Sequence, residues 1–490
     1  MRTFNLKLAV LVFLLAGNAS IGIAQLSGTF TPTGDMNFPR LFHAATLLAN
    51  GKVLIVGGAG PSSSAELYDP DTGTFIPAAN MTTPRSSPTA TLLNDGRVLI
   101  VGGDYVSGAS YPNTAELYDP ETGTFTSTGG TVTNQIGGSA VLLNNGKVLV
   151  AGGVTLRSFP APIANPELYD PSTGAFTPTG AFATTGGDVY VTGGPDISAV
   201  SLLSDGRVLI AGEPNSELYD PISGTFRLTG AMVTPCFESP LAYISGRTAT
   251  LLENGKVLLT GGEHEDCGRF RYAELYDPAT ETFSLAGNMT RARDNHIATL
   301  LPDGTVLVSG GETQECDVQV GFCTTTIVEA FDPATGSFQA VGNMNAPRAG
   351  HTATLLMNGT ILLAGGYGGI GRFIGPFSSE IYSPPVPLPT PVVTELRFDR
   401  TTVAVGESVT ADFAGSNMTP ETFFDVRFTA PGSTFSDVGF NWQQGPTSSH
   451  LVPAGIASGV WTINGVRAHR FEDDHTGNFL PVSATIMVSP

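Results

Sequence analysis

Glu66-Leu67-Tyr68-Asp69-Pro70-Asp71-Thr72-Gly73-Thr74-Phe75 is the stretch on which the reading of this chain turns. It returns, with few substitutions, at 116–125, 167–176, 217–226, 274–283 and 329–338. Self-similarity at a period of about 50 residues marks a repeat architecture, and it takes precedence over any domain count made from length. Working outward from the decapeptide, each repeat shows four strand signals. In the first these are 43–48, 52–56 ending in Gly57-Gly58, 65–68 and 74–78.

The first two signals are joined by Asn50-Gly51, and the equivalent sites read Asp95-Gly96, Asn145-Gly146, Asp205-Gly206, Asn254-Gly255, Asp303-Gly304 and Asn358-Gly359. These dipeptides predict type I′ hairpins, whose two central residues both need positive φ. The second strand, Val53-Leu54-Ile55-Val56, is apolar throughout, as a strand buried on both faces would be. The strand before it keeps small residues (Ala44, Ala45, Ala90, Ala140, Ala249, Ala298, Ala353), which predicts a crowded central axis.

The paired glycines (57–58, 102–103, 152–153, 261–262, 310–311, 365–366), followed by a tyrosine and an aromatic seven residues later, resemble the kelch repeat. Phenylalanine stands where kelch repeats usually carry tryptophan, and the fourth repeat has Gly212-Glu213 instead of a glycine pair. The resemblance covers residues 26 to 384 and implies one four-stranded blade per repeat of an all-β propeller. The seventh repeat stops at Glu380-Ile381-Tyr382-Ser383-Pro384, and its missing Gly-Thr-Phe stands near the other end of the chain as Gly28-Thr29-Phe30. The expected fold is therefore a seven-bladed kelch-type β-propeller over 25–384, closed by the N-terminal strand so that no sheet edge is left open.

A proline-rich linker follows at 385–391, and 392–490 carries alternating segments (408–413, 424–428, 460–463, 484–488) that predict an immunoglobulin-like β-sandwich. A propeller followed by such a domain resembles the layout of the galactose oxidase family. At the other end, Arg2 and Lys7 precede an apolar run to Ala16 and the small residues Gly22 and Ala24. That pattern predicts a signal peptide over 1–24 and an exported, secreted protein with no membrane span. The four cysteines fit the same compartment. Cys236, Cys267, Cys316 and Cys323 are expected to form two disulfides within long loops. A formal charge of −20 argues against nucleic acid and anionic membrane surfaces as partners, and the chain is expected to act as a monomer.

In a four-stranded blade, the residues after the glycine pairs share one face of the ring with those leading into the inner strands. Aligning the repeats on Leu47-Leu48 puts His43, His296 and His351 in one column, and Arg40, Arg85, Arg293 and Arg348 in another. Asp104, Glu263, Glu312 and Tyr367 follow the glycine pairs. Together they form a candidate pocket for an anionic or hydroxyl-rich ligand, since arginine forks bind carboxylates while imidazoles and acids bind sugar hydroxyls or a metal. The alternative is that Pro-Arg-x-x-His belongs to the repeat and bonds the sheets together. The acidic stretch 263–267 is open to a similar pair of readings, a cation site or a solvated loop.

No nucleophile elbow, zinc helix or phosphate loop is present. The expectation is accordingly a secreted binding scaffold that contacts a glycan or protein ligand, with no catalysis and no cofactor. The alternative is a copper-radical oxidase resembling galactose oxidase, in which Tyr367, His351 and His450 would stand in for the family's copper ligands.

Overall fold

A computed structural model describes residues 28–58, 63–103, 113–132, 138–152, 161–162, 165–183, 191–192, 196–213, 215–233, 244–264, 267–315, 323–369, 373–374, 378–385, 392–416, 423–433, 437–444, 447–451, 457–469 and 484–489. They contain strands and turns and no helix. They divide into two compact units, one over Leu26–Pro385 and one holding Val386–Pro490.

Among the described residues the first unit contains seven four-stranded antiparallel sheets. Sheet one is Ala44–Leu47, Val53–Val56, Ala65–Asp69 and Thr74–Pro77, and the next five repeat this order along the chain. Sheet seven takes three strands from Thr352–Leu355, Ile361–Ala364 and Ser379–Ser383, and its fourth from Thr29–Pro32. That last pairing runs Thr29 against Ser383 and Phe30 against Tyr382. Each innermost strand lies against the innermost strand of the next sheet, and that of sheet seven returns to sheet one, so the cycle is closed.

The core sits between sheets. All four residues of Val53–Val56 are fully buried, at 0% exposure, because the strand is covered on both sides. Leu54 and Val56 pack with Val98 and Ile100 of sheet two, whereas Val53 and Ile55 pack with Leu362 and Ala364 of sheet seven. Each such side chain contributes about 1.5–3 kcal/mol relative to exposure, so a strand apolar on both faces is what a sheet flanked by two others requires. The small residues of the inner strands are only partly buried, as at Ala44–Leu47 and Thr352–Leu355. Ala44 and Ala90 pack against the core between sheets one and two.

The seven hairpins differ from the expected type. Gly51 has φ of 83°, but Asn50 is not among the residues with positive φ. The Gly51 N–H donates to the Leu48 carbonyl (3.0 Å), and the Leu48 N–H donates to Lys52 (2.8 Å), which makes a type I turn followed by a left-handed glycine. The asparagine instead caps the turn, accepting the Lys52 N–H on its side chain at 3.1 Å.

In the second unit a three-stranded sheet (Val392–Phe398, Ser408–Ser416, Thr447–Leu451) and a five-stranded sheet share one core that includes Phe413, Phe424 and Trp461. The Phe413 and Phe424 rings stack 4.3 Å apart.

Candidate functional site

The repeat explains most of the residues that its columns bring to one face. The arginine column is buried and paired within each sheet. Arg40 donates to Glu66 at 3.0 Å, and Arg348 donates to Glu380 at 2.8 Å. Arg85 lies 3.4 Å from Glu116, and Arg293 donates to Glu329. Each guanidinium also donates to the carbonyl of the first glycine of its own sheet's pair, as Arg40 does to Gly57 at 2.8 Å. Burial lowers the affinity of these four arginines for their protons, and the glutamate partners oppose the shift. With the forks consumed in this way, the expectation that they bind an anionic ligand is corrected. They fasten the entry segment to the third strand.

The glutamates, Glu66 of the opening decapeptide and its counterparts, were not marked as site residues. All seven are buried (Glu66, Glu116, Glu167, Glu217, Glu274, Glu329, Glu380). Each accepts a backbone N–H from the segment entering its sheet, for example Asn37 at 2.6 Å and Val233 at 2.7 Å. The signal was available, since an invariant charge inside an otherwise apolar strand has to be satisfied. At sheet five the pairing arginine comes from the histidine column instead, because Arg247 lies 3.6 Å from Glu274.

The glycine pairs let neighbouring sheets approach. The Gly366 N–H donates to the Arg40 carbonyl (2.7 Å) and the Gly311 N–H to the Arg348 carbonyl (2.9 Å). A Cβ on Gly310 would come within 2.3 Å of that Arg348 oxygen, and φ is positive at both glycines of this pair (63° and 104°).

His43, His296 and His351 do come together, lining one cavity of about 350 Å³ with Phe42, Arg247, Asn295 and the Thr248 and Thr352 hydroxyls. Each imidazole Nε2 meets a hydroxyl of the preceding sheet: His43 with Thr352 at 2.9 Å, His296 with Thr260 at 2.8 Å, and His351 with Ser309 at 2.9 Å. Each Nδ1 is buried without a hydrogen-bond partner. Placing the proton on Nε2 leaves Nδ1 as a bare acceptor, the tautomer with the smaller penalty. Burial, and then the neighbouring arginines, hold His43 and His296 down to about 3 and His351 well below its ordinary value, so all three are neutral.

The rim of this mouth is a run of backbone hydrogen bonds from sheet to sheet. Ser87 N–H donates to the Phe42 carbonyl, Phe42 to Gly350, Gly350 to Asn295, and Asn295 to Gly246, all between 2.9 and 3.1 Å. The residues in that run have φ of 52° to 65°, including the non-glycines Phe42, Ser87 and Asn295. Side chains seldom accept this conformation, which costs about 1–3 kcal/mol and is held here by the pairing.

Behind the rim, Glu312 and Tyr367 are buried, and the Tyr367 phenol donates to the Glu312 carboxylate. Arg269 bridges Glu312 and Asp294 and lies 3.4 Å from Glu263, which is partly exposed. Sequence columns did not mark Arg269 or Asp294, since they occur in one repeat each. Asp104, Cys236 and Cys316 lie outside the described residues, as do Glu265 and Asp266 of the acidic stretch. Cys267 and Cys323 are disulfide-bonded, and no described cysteine is free. Among the described residues no group of three or more His, Cys, Asp or Glu is placed to hold a metal ion, and no helix is long and apolar enough to cross a membrane.

No family model matches this sequence, and no curated protein does. Among solved structures it is similar to a novel fungal alcohol oxidase with catalytic diversity among the AA5 family, in complex with copper. That match has a TM-score of 0.58 at 20% identity and covers 95% of this chain and 100% of that one. It overturns the expectation of a scaffold without catalysis, because the fold runs along the whole of an oxidase. At this identity the likeness establishes the fold, an all-β, galactose oxidase-like propeller architecture.

Proposed function

We propose that this chain is an exported oxidase that acts on alcohols, the copper-radical reading rather than the binding scaffold. We read its first unit as a seven-bladed kelch-type propeller closed by the N-terminal strand, and its second as an immunoglobulin-like domain. The observation that carries the proposal is the extent of the fold match, 95% of this chain and 100% of an alcohol oxidase. Fold alone is an argument by analogy. The mouth adds its lining to it: three neutral histidines, Asn295 and two threonines beside the Phe42 ring suit an uncharged compound better than an anion.

Copper is the cofactor this reading brings, and the described residues do not fit it. The three mouth imidazoles turn Nε2 to hydroxyls and do not converge on a common point, and the Tyr367 phenol is committed to Glu312. No step is therefore derived through the metal. A copper site would have to draw on residues beyond those described.

The test is elemental analysis of protein purified without chelator, followed by peroxide assay on a panel of primary alcohols after copper loading. Stoichiometric copper with alcohol-dependent peroxide is the expected result. Loaded protein that yields no peroxide with any of them would overturn the proposal.

A further inference from the structure

Five residues from one position of the repeat meet at the mouth: Phe42, Ser87, Gly246, Asn295 and Gly350. Each leads into an inner strand with φ between 52° and 65°. Four of them are glycine or small and polar. Phe42 is the exception, because a bulky aromatic in this left-handed backbone is an outlier that costs about 1–3 kcal/mol. The surroundings nevertheless make a seat for its ring. It packs against Tyr367 with centroids 5.6 Å apart and stays partly exposed. Gly350 adjoins both rings, and a Cβ there would stand 2.9 Å from Phe42 Cε1 and 3.0 Å from Tyr367 Cε1. A side chain at this point of sheet seven would displace one ring or the other. A strained residue fixed by its neighbours at the edge of a cavity points to a ligand contact.

The polar groups of the lining are already engaged. Thr352 meets His43 at 2.9 Å and Thr248 meets Thr260 at 2.7 Å, while His296 and His351 bond to hydroxyls of the preceding sheets. Arg247 donates to the Gly261 carbonyl at 3.0 Å and lies beside Glu274, so its charge is balanced. The rim amides donate from sheet to sheet, and the Asn295 Nδ2 donates to Asp294 at 2.8 Å. A compound dense in hydroxyls would find most of its partners bonded, and would give up water for little in return. The lining offers apolar surface instead, from the Phe42 ring, Pro88 and Ile297 around a space of about 350 Å³. That balance, an apolar wall with a few polar groups, is the ordinary make-up of a small-molecule pocket.

We propose that the mouth binds uncharged compounds with a flat apolar body and few hydroxyls, and that Phe42 is the residue on which that body rests. As a statement about binding, this goes beyond the oxidase reading. As a statement about substrates, aryl-substituted alcohols over sugars, it rests on that reading.

The experiment is a titration of the full-length protein, with no metal added, with benzyl alcohol and separately with galactose, followed by ligand-observed nuclear magnetic resonance. Benzyl alcohol should bind about tenfold or more tightly than galactose. Phe42→Gly should weaken benzyl alcohol about tenfold, the scale of a lost aromatic contact. This variant should fold, because it gives sheet one the residue that sheets five and seven carry at the same backbone angle. Phe42→Asn, the residue of sheet six, serves as a second variant without the ring. Phe42→Tyr keeps the ring and should bind within about threefold of the wild type. Galactose binding as tightly as benzyl alcohol would overturn the proposal, as would benzyl alcohol that does not bind or that binds both ringless variants as well as the wild type. Benzyl alcohol that binds through Phe42 but yields no peroxide after copper loading would count against the oxidase reading and leave the binding proposal standing.

Discussion

Phe30 and Tyr382 stand 352 positions apart in the chain and pack as a tilted ring pair with centroids 4.9 Å apart. It is the same pair that other sheets make between their own third and fourth strands, as in Tyr68–Phe75 (4.9 Å) and Tyr219–Phe226 (4.7 Å). The N-terminal strand therefore supplies an aromatic contact as well as a backbone ladder. Phe30→Ala should cost about 2–3 kcal/mol, somewhat less than a fully buried phenylalanine because Phe30 is partly exposed. Chemical denaturation would measure it, with Phe75→Ala as the internal comparison. A loss below about 0.5 kcal/mol would mean that the strand pairs without closing the ring.

The buried Arg40–Glu66 pair separates a structural arginine from a ligand-binding one. Arg40→Met leaves Glu66 at 0% exposure without its guanidinium partner and takes a donor away from the carbonyls of Gly57 and Ser64, so it should cost about 3–5 kcal/mol. Replacing both members, Arg40→Met with Glu66→Gln, should recover part of that loss in a double-mutant cycle. A ligand-binding arginine would behave in the opposite way, with stability unmoved and binding lost.

Much of the architecture was legible because the repeat is nearly literal. The glycine pairs, the doubly apolar second strand and the stray Gly28-Thr29-Phe30 each correspond to a packing demand that any copy of the repeat must meet. The mouth was legible only as a set of positions. Columns placed the histidines together but could not show that each Nε2 is already spent on a neighbouring hydroxyl, because those hydroxyls do not share one column: Thr260 and Ser309 precede their glycine pairs, whereas Thr352 opens an inner strand. Arg269 and Asp294 escaped for the reverse reason, since a pattern search passes over residues that occur once. Turn type was misjudged because Asn50 and its counterparts act through the side chain, not through positive φ.

Acid should weaken the ring through the three mouth histidines. Their folded affinities for protons are depressed, so the unfolded chain binds more protons below pH 6.5. The stability they contribute is complete above the unfolded value and is lost as pH falls from about 6.5 towards 3. For a histidine held near 3, the loss at pH 5 is about 2 kcal/mol. Asp294 works against this trend, because its raised value stabilises the folded state as pH falls through 6. Thermal unfolding from pH 8 to 4.5 should show a net decline that is shallower in His43→Gln than in the wild type. Identical slopes would mean that His43 is protonated inside the fold.

Glu281 occupies a position where the other turns carry glycine. Its φ is 57°, against 66° at Gly73 and 67° at Gly224 and Gly336. The strain is held by a double clasp, since Arg207 donates to Glu281 at 2.7 Å and Arg227 binds both of its oxygens. Those bonds pull its carboxyl down to about 2. Glu281→Gly relieves a left-handed backbone, about 1 kcal/mol, and gives up surface ion pairs worth about 0.2–1 kcal/mol each. The two effects nearly cancel, so its stability should stay within about 1 kcal/mol of the wild type. Glu281→Ala keeps the strain and loses the clasp, and should be destabilised by about 1–2 kcal/mol. Salt distinguishes the contributions. Moving from low to about 1 M salt should weaken the wild type more than either variant, because only the wild type has the clasp to screen. Equal stability of the glycine and alanine variants would show that the turn bears no strain at this position.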